Sequence, residues 1–349
     1  MPNKKIVFKA AVLEEFNKPL KIKKVVFNGP LMKGQVLVKL LYSGICGKQI
    51  EEIQNKGKPD PFVPHLLGHE GVAIIKEIGP SVSKVKKNDL VILHWIKSEG
   101  INSATPHYQD LNGRKINAGW VTTFNENAVV SENRITKIKY QKDLKYLSFL
   151  GCAIPTAYGT VKNIGKLNVK DRVLVIGSGG LGLFILQSIQ LKKVSLLGAV
   201  DTNKKALKIA KNIGISNTFL SDKHLKKKLW EFSQNKGFTK IFIATNNVRV
   251  IENAFDYASD DSKIILVGVP EYGKKIKLNP FDIMHGKEIC GTVGGKINPK
   301  VDLPKLIELV TQKKIKISPI VSKIVNFDKI NKGIKLMKNK YGGRVIVKF

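Results

Sequence analysis

The stretch Arg172-Val-Leu-Val-Ile-Gly-Ser-Gly-Gly-Leu-Gly182 decides the fold of the second half of this 349-residue chain. A β-prone run leads directly into a Gly-x-Gly-x-x-Gly turn, and an apolar pattern with helical spacing follows. In such a turn Gly177 makes the tight bend, Gly179 lets the backbone approach a pyrophosphate, and Gly182 permits close helix packing. The turn therefore predicts a dinucleotide site formed by Gly177, Gly179, Gly180, Leu181 and Gly182.

An acidic residue follows the next predicted strand. Asp201 lies 19 residues beyond Gly182, where a carboxylate can accept hydrogen bonds from an adenosine ribose. A carboxylate would repel a 2′-phosphate, so this position favours NAD over NADP. The positive charges of Lys204 and Lys205 weaken this preference. The alternative is an ordinary glycine-rich helix start, with Asp201 as a strand-end cap.

The pattern around the glycine turn differs from that of the first half. After Pro155, buried strand-like runs alternate with helical runs, which is typical of a doubly wound parallel sheet. Before about Val130, short β-like runs are separated by Gly, Pro and Asn, which indicates a β-rich domain. The predicted strands of that half are residues 9–13, 35–41, 72–78, 89–93 and 120–123.

The end of the chain leaves the parallel-sheet unit near Gly294. We expect a helix there, capped by Asp302, and then a last strand over residues 344–349 that returns to the first domain. The predicted domains are thus residues 1–154 with 294–349, and residues 155–293. The fold class is α/β, a β-rich domain joined to a doubly wound parallel sheet.

The net charge of +33 invites a nucleic-acid interpretation. However, 55 of the 60 basic residues are Lys, scattered along the chain. Arg is the residue that recognises base edges and binds phosphates through paired hydrogen bonds. We expect a general attraction for anions and no specific nucleic-acid partner.

The N-terminal residues, Met1-Pro-Asn-Lys-Lys, lead into a strand-like run without an apolar signal segment, and no stretch approaches 18 uninterrupted apolar residues. Three widely spaced cysteines do not suggest a disulfide framework. The sequence predicts a cytoplasmic protein without membrane attachment.

Three segments carry residues that can bind zinc: Gly44-Ile-Cys46-Gly47, Gly68-His69-Glu70-Gly71 and Gly151-Cys152-Ala153. Each segment alone is weak evidence for a zinc site, because a lone cysteine is usually a small buried hydrophobic residue. Together they supply two thiolates and one imidazole, the three-ligand set with an open position that a catalytic zinc requires.

These segments, in this order and approximate spacing, resemble the zinc-dependent alcohol dehydrogenases of the medium-chain dehydrogenase/reductase superfamily. The similarity covers nearly the whole chain. It includes 9–12 (KAAV), 150–159 (LGCAIPTAYG), 200–205 (VDTNKK) and 267–269 (VGV). The last third, at 280–281 (PF) and 327–333 (FDKINKG), looks most like the glutathione-dependent formaldehyde dehydrogenases.

The resemblance implies a GroES-like catalytic domain, a Rossmann domain and one catalytic zinc per chain. It implies that Cys46, His69 and Cys152 hold the zinc, with Glu70 as an exchangeable fourth ligand. It places Val267 and Val269 beside the nicotinamide and Arg344 at the cofactor pyrophosphate. It also implies a homodimer or homotetramer, and we expect subunit pairing near residues 274–278 and 287–293.

The chain departs from this family at two places. Residues 95–122 contain no cysteine, so the four-cysteine structural zinc site of many relatives is absent. We expect this lobe to be held by packing or by polar residues around His107, Tyr108 and Asp110, and we interpret His94 and His107 as structural or exposed.

The second departure is Lys48, where the family usually has Ser or Thr to pass on the alcohol proton; Gln49 and Glu51 are also atypical. Three roles for Lys48 stay open: a neutral general base, an anchor for an anionic substrate group, or a bystander paired with Glu51 or Glu52.

The sequence therefore predicts an NAD- and zinc-dependent enzyme that interconverts a primary or secondary alcohol, polar, sugar-like or acidic, and its carbonyl compound. One alternative is a zinc-free NAD(P)H reductase of quinones or enones in the same superfamily. The other is a non-catalytic basic binding protein.

Overall fold

The computed structural model of this protein describes residues 5–57, 59–339 and 342–349. Residues 1–4, where the sequence predicts no apolar signal segment, lie outside the described residues. The strands of the first half are β1 Lys5–Leu13, β2 Lys21–Asn28, β3 Gln35–Ile45, β4 His65–Leu66, β5 Glu70–Ile78, β6 Leu90–His94, β7 Tyr108–Asp110, β8 Lys115–Ile116, β9 Asn127–Ser131 and β10 Ile135–Ile138. Those of the second half are β11 Arg172–Ile176, β12 Leu196–Asp201, β13 Asn217–Leu220, β14 Phe238–Ile243, β15 Ala258–Leu266, β16 Glu288–Gly291, β17 Val321–Asn326 and β18 Arg344–Lys348. The helices are α1 Gly47–Ile53, α2 Ala153–Gly159, α3 Gly180–Gln190, α4 Lys204–Asn212, α5 Leu225–Phe232, α6 Val248–Asn253, α7 Pro280–Met284, α8 Pro299–Thr311 and α9 Ile330–Lys338.

The second half forms a six-stranded parallel sheet in the order β13-β12-β11-β14-β15-β16. Its central strands are apolar on both faces because helices cover the sheet on both sides; Val173, Val175 and Ile241 are fully buried. The strand order runs outward from β11 in both directions, so the carboxyl ends of β11 and β14 meet at a crevice. This confirms the predicted α/β class.

The first half forms two sheets, in the orders β4-β1-β2-β7-β8 and β10-β6-β5-β3-β18-β17, with β9 also paired to β3. The last strand, β18, lies between β3 and β17. The chain end therefore returns to the first domain, as predicted. The domain limits 1–154 with 294–349, and 155–293, stay a prediction. None of the helices in the described ranges is both long and apolar enough to cross a membrane.

Two local predictions are wrong. Residues 120–123 form no strand, because their backbone groups bond to separate partners: Ser131 N–H donates to Trp120 O, and Thr123 N–H to Leu67 O. Asp302 does not begin its helix. Pro299 takes the first helical position and Asn298 caps it, while Asp302 accepts from Asn298 N–H and pairs with Lys162.

Glu132, which sequence reasoning missed, connects the lobe without cysteines to the loop between β5 and β6. Its buried carboxylate accepts from the backbone N–H groups of Ser83, Lys84 and Ile101, at 2.8–3.0 Å. Burial opposes ionisation, but these three donors lower the pKa of Glu132. Tyr108 and Asp110 contribute as expected, through Val129 N–H and Lys23, whereas His107 is exposed.

His94 is buried beneath this lobe as a neutral ring. Its Nδ1 lies 2.7 Å from Ile96 O and its Nε2 lies 3.1 Å from Thr136 Oγ1, so Nδ1–H donates and Nε2 accepts. Burial lowers the pKa of His94 to about 4, below the ordinary value of 6.5. The unfolded chain then binds the extra proton between these pH values, and the folded state loses stability as pH falls through that window.

We expect the free energy of unfolding to fall by about 3 kcal/mol from pH 6.5 to pH 4 on account of His94 alone. Urea unfolding of the wild type and the His94→Gln variant, at pH 7.0 and pH 4.5, measures this contribution. The decrease in unfolding free energy from pH 7.0 to pH 4.5 should be smaller in His94→Gln than in the wild type. In the exposed control His107→Gln it should equal the wild-type decrease. Equal losses in all three proteins would contradict the assignment.

Candidate active site

Three side chains from distant segments meet where the β-rich sheets approach the parallel sheet. Cys46 lies between β3 and α1, His69 directly before β5, and Cys152 directly before α2. One ligand atom from each lies within 4.8 Å of the others. The sequence predicted this set, and the fold brings it together.

The donor set fits a zinc ion. In a tetrahedral site with Zn–S of about 2.3 Å and Zn–N of about 2.0 Å, ligand atoms lie roughly 3.5–4 Å apart. His69 Nε2 is buried and has no hydrogen-bond partner. A lone pair without a partner, facing two sulfurs, is what a metal ligand needs. These residues would leave a fourth position open toward the cavity.

Gln49 positions two of these groups. Its buried side chain accepts from Cys46 N–H at 2.9 Å through Oε1, and its Nε2 contacts His69 Nδ1. The contact at Nδ1 fixes the ring so that Nε2 faces the cysteines. Sequence reasoning noted Gln49 only as an atypical residue, because its bridging role depends on the turn from β3 into α1.

The two thiols have opposite acidities. The close contact with Cys152, together with the nearby charges of His69 and Arg344, holds the pKa of Cys46 well below its usual range although burial opposes this shift. The pKa of Cys152 is raised well above it, because Cys46 holds the shared charge and burial disfavours a second one.

Glu70 and Arg344 form a buried ion pair behind this set. Their side chains are 0% and 3% exposed, and Ala153 N–H also donates to Glu70 at 3.3 Å. Arg344 lies over the Phe149 ring at 4.7 Å and against Gly180 of the glycine turn. The predicted roles of Glu70 as a zinc ligand and Arg344 as a pyrophosphate contact stay predictions.

Lys48 lies on the cavity wall, on the first turn of α1. Its Nζ is 3.6 Å from Glu51 Oε2, and the side chain is 38% exposed. The bystander pair with Glu51 is thus present, and the ammonium also faces the cavity. All three predicted roles of Lys48 remain compatible with this position.

The glycine turn has the geometry that the sequence predicted. Gly177 takes φ +97°, which favours glycine, and a Cβ on Gly182 would lie 1.8 Å from Gly177 O. A Cβ on Gly179 would meet nothing within 4 Å, so its backbone faces open space at the start of α3. That space fits a pyrophosphate at a helix N-terminus.

Asp201 is held at the end of β12 by two backbone donors. Ser178 N–H donates to Oδ2 at 2.6 Å and Asn203 N–H donates to Oδ1 at 2.7 Å. The carboxylate is therefore oriented beside the glycine turn, where a ribose would lie. Val267 and Val269 line the same cavity, near the carboxyl end of β15.

One cavity of about 800 Å³ joins the metal-binding set to the glycine turn and Asp201. It runs from Cys46, His69 and Cys152 past the glycine turn to Asp201. Sequence reasoning missed several of its polar lining residues, among them Trp95, Thr156 and Thr292. The pairing of β5 with β6 could have indicated the position of Trp95. Glu70 faces His94 in that pairing, so the next residues outward, His69 and Trp95, lie at the same end of the two strands.

Comparison with known proteins agrees with this geometry. Residues 32–140 match the family model described as Alcohol dehydrogenase GroES-like domain, and residues 180–312 match Zinc-binding dehydrogenase. The chain belongs to the zinc-binding alcohol dehydrogenase family. The two family models together cover most of the chain. The residues that each model matches include residues that line the cavity described above.

Relatives of this family are similar along the whole chain. S-(hydroxymethyl)glutathione dehydrogenase of Paracoccus denitrificans is 28% identical, covering 94% of this chain and 96% of its own. Alcohol dehydrogenase 6 of Peromyscus maniculatus is 29% identical, covering 95% of both. The crystal structure of benzyl alcohol dehydrogenase from Acinetobacter calcoaceticus is 25% identical and superimposes with a TM-score of 0.88, covering 99% of both chains.

Proposed function

We propose that this protein interconverts an alcohol and its aldehyde or ketone, using NAD and one catalytic zinc ion per chain. One observation carries the proposal: the Cys46, His69 and Cys152 set opens into the same cavity as the glycine turn and Asp201. A metal-binding set and a dinucleotide turn in one cavity support hydride transfer between substrate and nicotinamide.

Cys46, His69 and Cys152 would hold a zinc ion, which would lower the pKa of the substrate hydroxyl, and the glycine turn would hold NAD, which would accept the hydride. The chain's own residues position both. Gln49 orients His69, the backbone at Gly179 leaves room for the pyrophosphate, and Asp201 accepts from the ribose hydroxyls. Lys48 is the polar group of α1's first turn that lines the cavity, and its role as a base, as an anchor for the substrate or as the partner of Glu51 stays a prediction.

Zinc content and NADH formation test this function on freshly purified protein kept free of chelators. We expect one zinc per chain and NADH formation with at least one alcohol. A folded protein that binds NADH but holds no zinc would overturn the proposal and favour the zinc-free reductase.

We further propose a homodimer formed at the edge of the parallel sheet. Strand β16 is the last strand of that sheet, and exposed apolar side chains flank it: Phe281 (62%), Met284 (82%) and Val293 (80%). Apolar groups of this size beside an open strand edge support a subunit interface.

Replacing Met284 with Asp should convert the dimer to a monomer, because a desolvated carboxylate would lie in the interface. Light scattering coupled to size-exclusion chromatography measures the mass of each species. The matched control is Val169→Asp, at a 64% exposed position outside this edge, which should stay dimeric. A Met284→Asp dimer would contradict this interface.

We also propose a cytoplasmic location. The three cysteines are free, and the zinc-binding function needs Cys46 and Cys152 as thiols rather than as a disulfide.

A further inference from the structure

The catalytic end of the cavity has an unusual charge for this protein. The chain carries 60 basic and 27 acidic residues, yet helix α1 presents two carboxylates and one ammonium to the cavity. These are Glu51, Glu52 and Lys48. Because lysine is so abundant elsewhere, an acidic excess at this wall distinguishes it from the general surface.

The two carboxylates have few partners within the protein. Glu51 lies 3.6 Å from Lys48 Nζ. The Glu52 side chain makes no hydrogen bond or ion pair with any residue in the ranges 5–57, 59–339 and 342–349. Burial raises the pKa of both groups. A half-buried carboxylate without donors is stabilised by hydroxyl groups brought by a ligand.

The opposite walls add polar atoms that also lack partners. Trp95 Nε1, Thr156 Oγ1 and Thr292 Oγ1 are buried, make no hydrogen bond in the described part of the chain, and belong to residues lining this cavity. Thr156 is 9% exposed and lies one helical turn after Cys152. Trp95 packs against Gly294 and lies opposite His69. The wall of this cavity is therefore polar beyond α1 as well.

We infer that the substrate is a neutral polyhydroxy alcohol, whose hydroxyl groups donate to Glu51 and Glu52 and accept from Lys48. This inference rests on the proposed function. One carbinol carbon of the polyol transfers a hydride to NAD, and its hydroxyl proton is released to solvent. The products are a polyhydroxy aldehyde or ketone, NADH and a proton.

Other substrate classes fit this wall less well. An apolar alcohol would desolvate the two carboxylates and the Lys48 ammonium without offering them a hydrogen bond. An anionic substrate, including an adduct of glutathione, would approach two carboxylates whose only nearby cation on α1 is already shared with Glu51. A neutral polyol satisfies both kinds of group without adding charge.

Three alcohols with the same number of carbon atoms test this inference: xylitol, 1-pentanol and 5-hydroxypentanoate. With zinc-loaded enzyme and saturating NAD, we expect kcat/KM for xylitol to exceed that for each of the others at least tenfold. If 1-pentanol or 5-hydroxypentanoate gives the higher kcat/KM, the substrate class is wrong and the proposed function stands. If none of the three, nor any wider set of alcohols, yields NADH, both fail.

A charge-removing variant separates recognition from a structural effect. Glu52→Gln should lower kcat/KM for xylitol and raise it for 5-hydroxypentanoate, so that their ratio falls at least tenfold. A loss of structure would lower both and leave the ratio unchanged. The matched control Glu308→Gln removes an exposed carboxylate of α8 that does not line the cavity, and its ratio should equal the wild-type value. An unchanged ratio in Glu52→Gln would overturn the inference.

Discussion

Replacing Cys46 with Ala should leave less than a tenth of a zinc ion per chain and lower kcat for alcohol oxidation at least about a thousandfold. The physical reason is the loss of one of only two thiolates in a three-ligand set. Without the metal, the substrate hydroxyl keeps its ordinary pKa, and roughly 4 kcal/mol of transition-state stabilisation is lost. Elemental analysis of the purified variant and stopped-flow NADH formation measure the two effects independently.

The third cysteine offers a matched control. Cys290 lies on β16, away from the metal-binding set and outside the cavity lining. Cys290→Ala should keep full zinc content and wild-type kcat within about twofold. Wild-type zinc content in Cys46→Ala would show that the metal-binding set is assigned wrongly.

Replacing Arg344 with Met should lower the free energy of unfolding by about 3–5 kcal/mol. The substitution removes the cation beside Glu70, a carboxylate that is 0% exposed. Among the residues that the structure describes, Ala153 N–H is then its one remaining hydrogen-bond donor. Urea denaturation followed by circular dichroism at pH 7 measures the change.

Two further variants show whether the ion pair is responsible. The double variant Arg344→Met with Glu70→Gln should recover part of the loss, because no buried charge then remains. Arg249→Met, at an exposed position on α6, should change the free energy of unfolding by less than about 0.5 kcal/mol. A loss below about 1 kcal/mol in Arg344→Met would contradict the role of the pair.

The parts of the molecule that sequence predicted best depend on local patterns. The glycine turn at 177–182 needs positive φ and close approach, so spacing alone indicates it, and the parallel sheet follows from the alternation around it. Cys46, His69 and Cys152 were recognised as a set because each lies beside glycine and because the order resembles that of a known family.

The parts that sequence missed depend on contacts between distant segments. Glu132 connects the lobe without cysteines to the loop between β5 and β6 through three backbone N–H groups, and nothing in the sequence next to Glu132 indicates them. Trp95 enters the cavity wall through the register of β5 and β6. Asp302 and residues 120–123 were assigned wrongly because Pro299 and separate backbone partners outweighed local propensity.

The position of β18 has a consequence for how the protein is made. This strand, the last of the chain, lies between β3 and β17 and carries Arg344 against Glu70. During synthesis the six strands of the parallel sheet leave the ribosome before β18 does. The nucleotide-binding half can therefore fold first, and the sheet that supports the metal ligands is completed only when β18 follows.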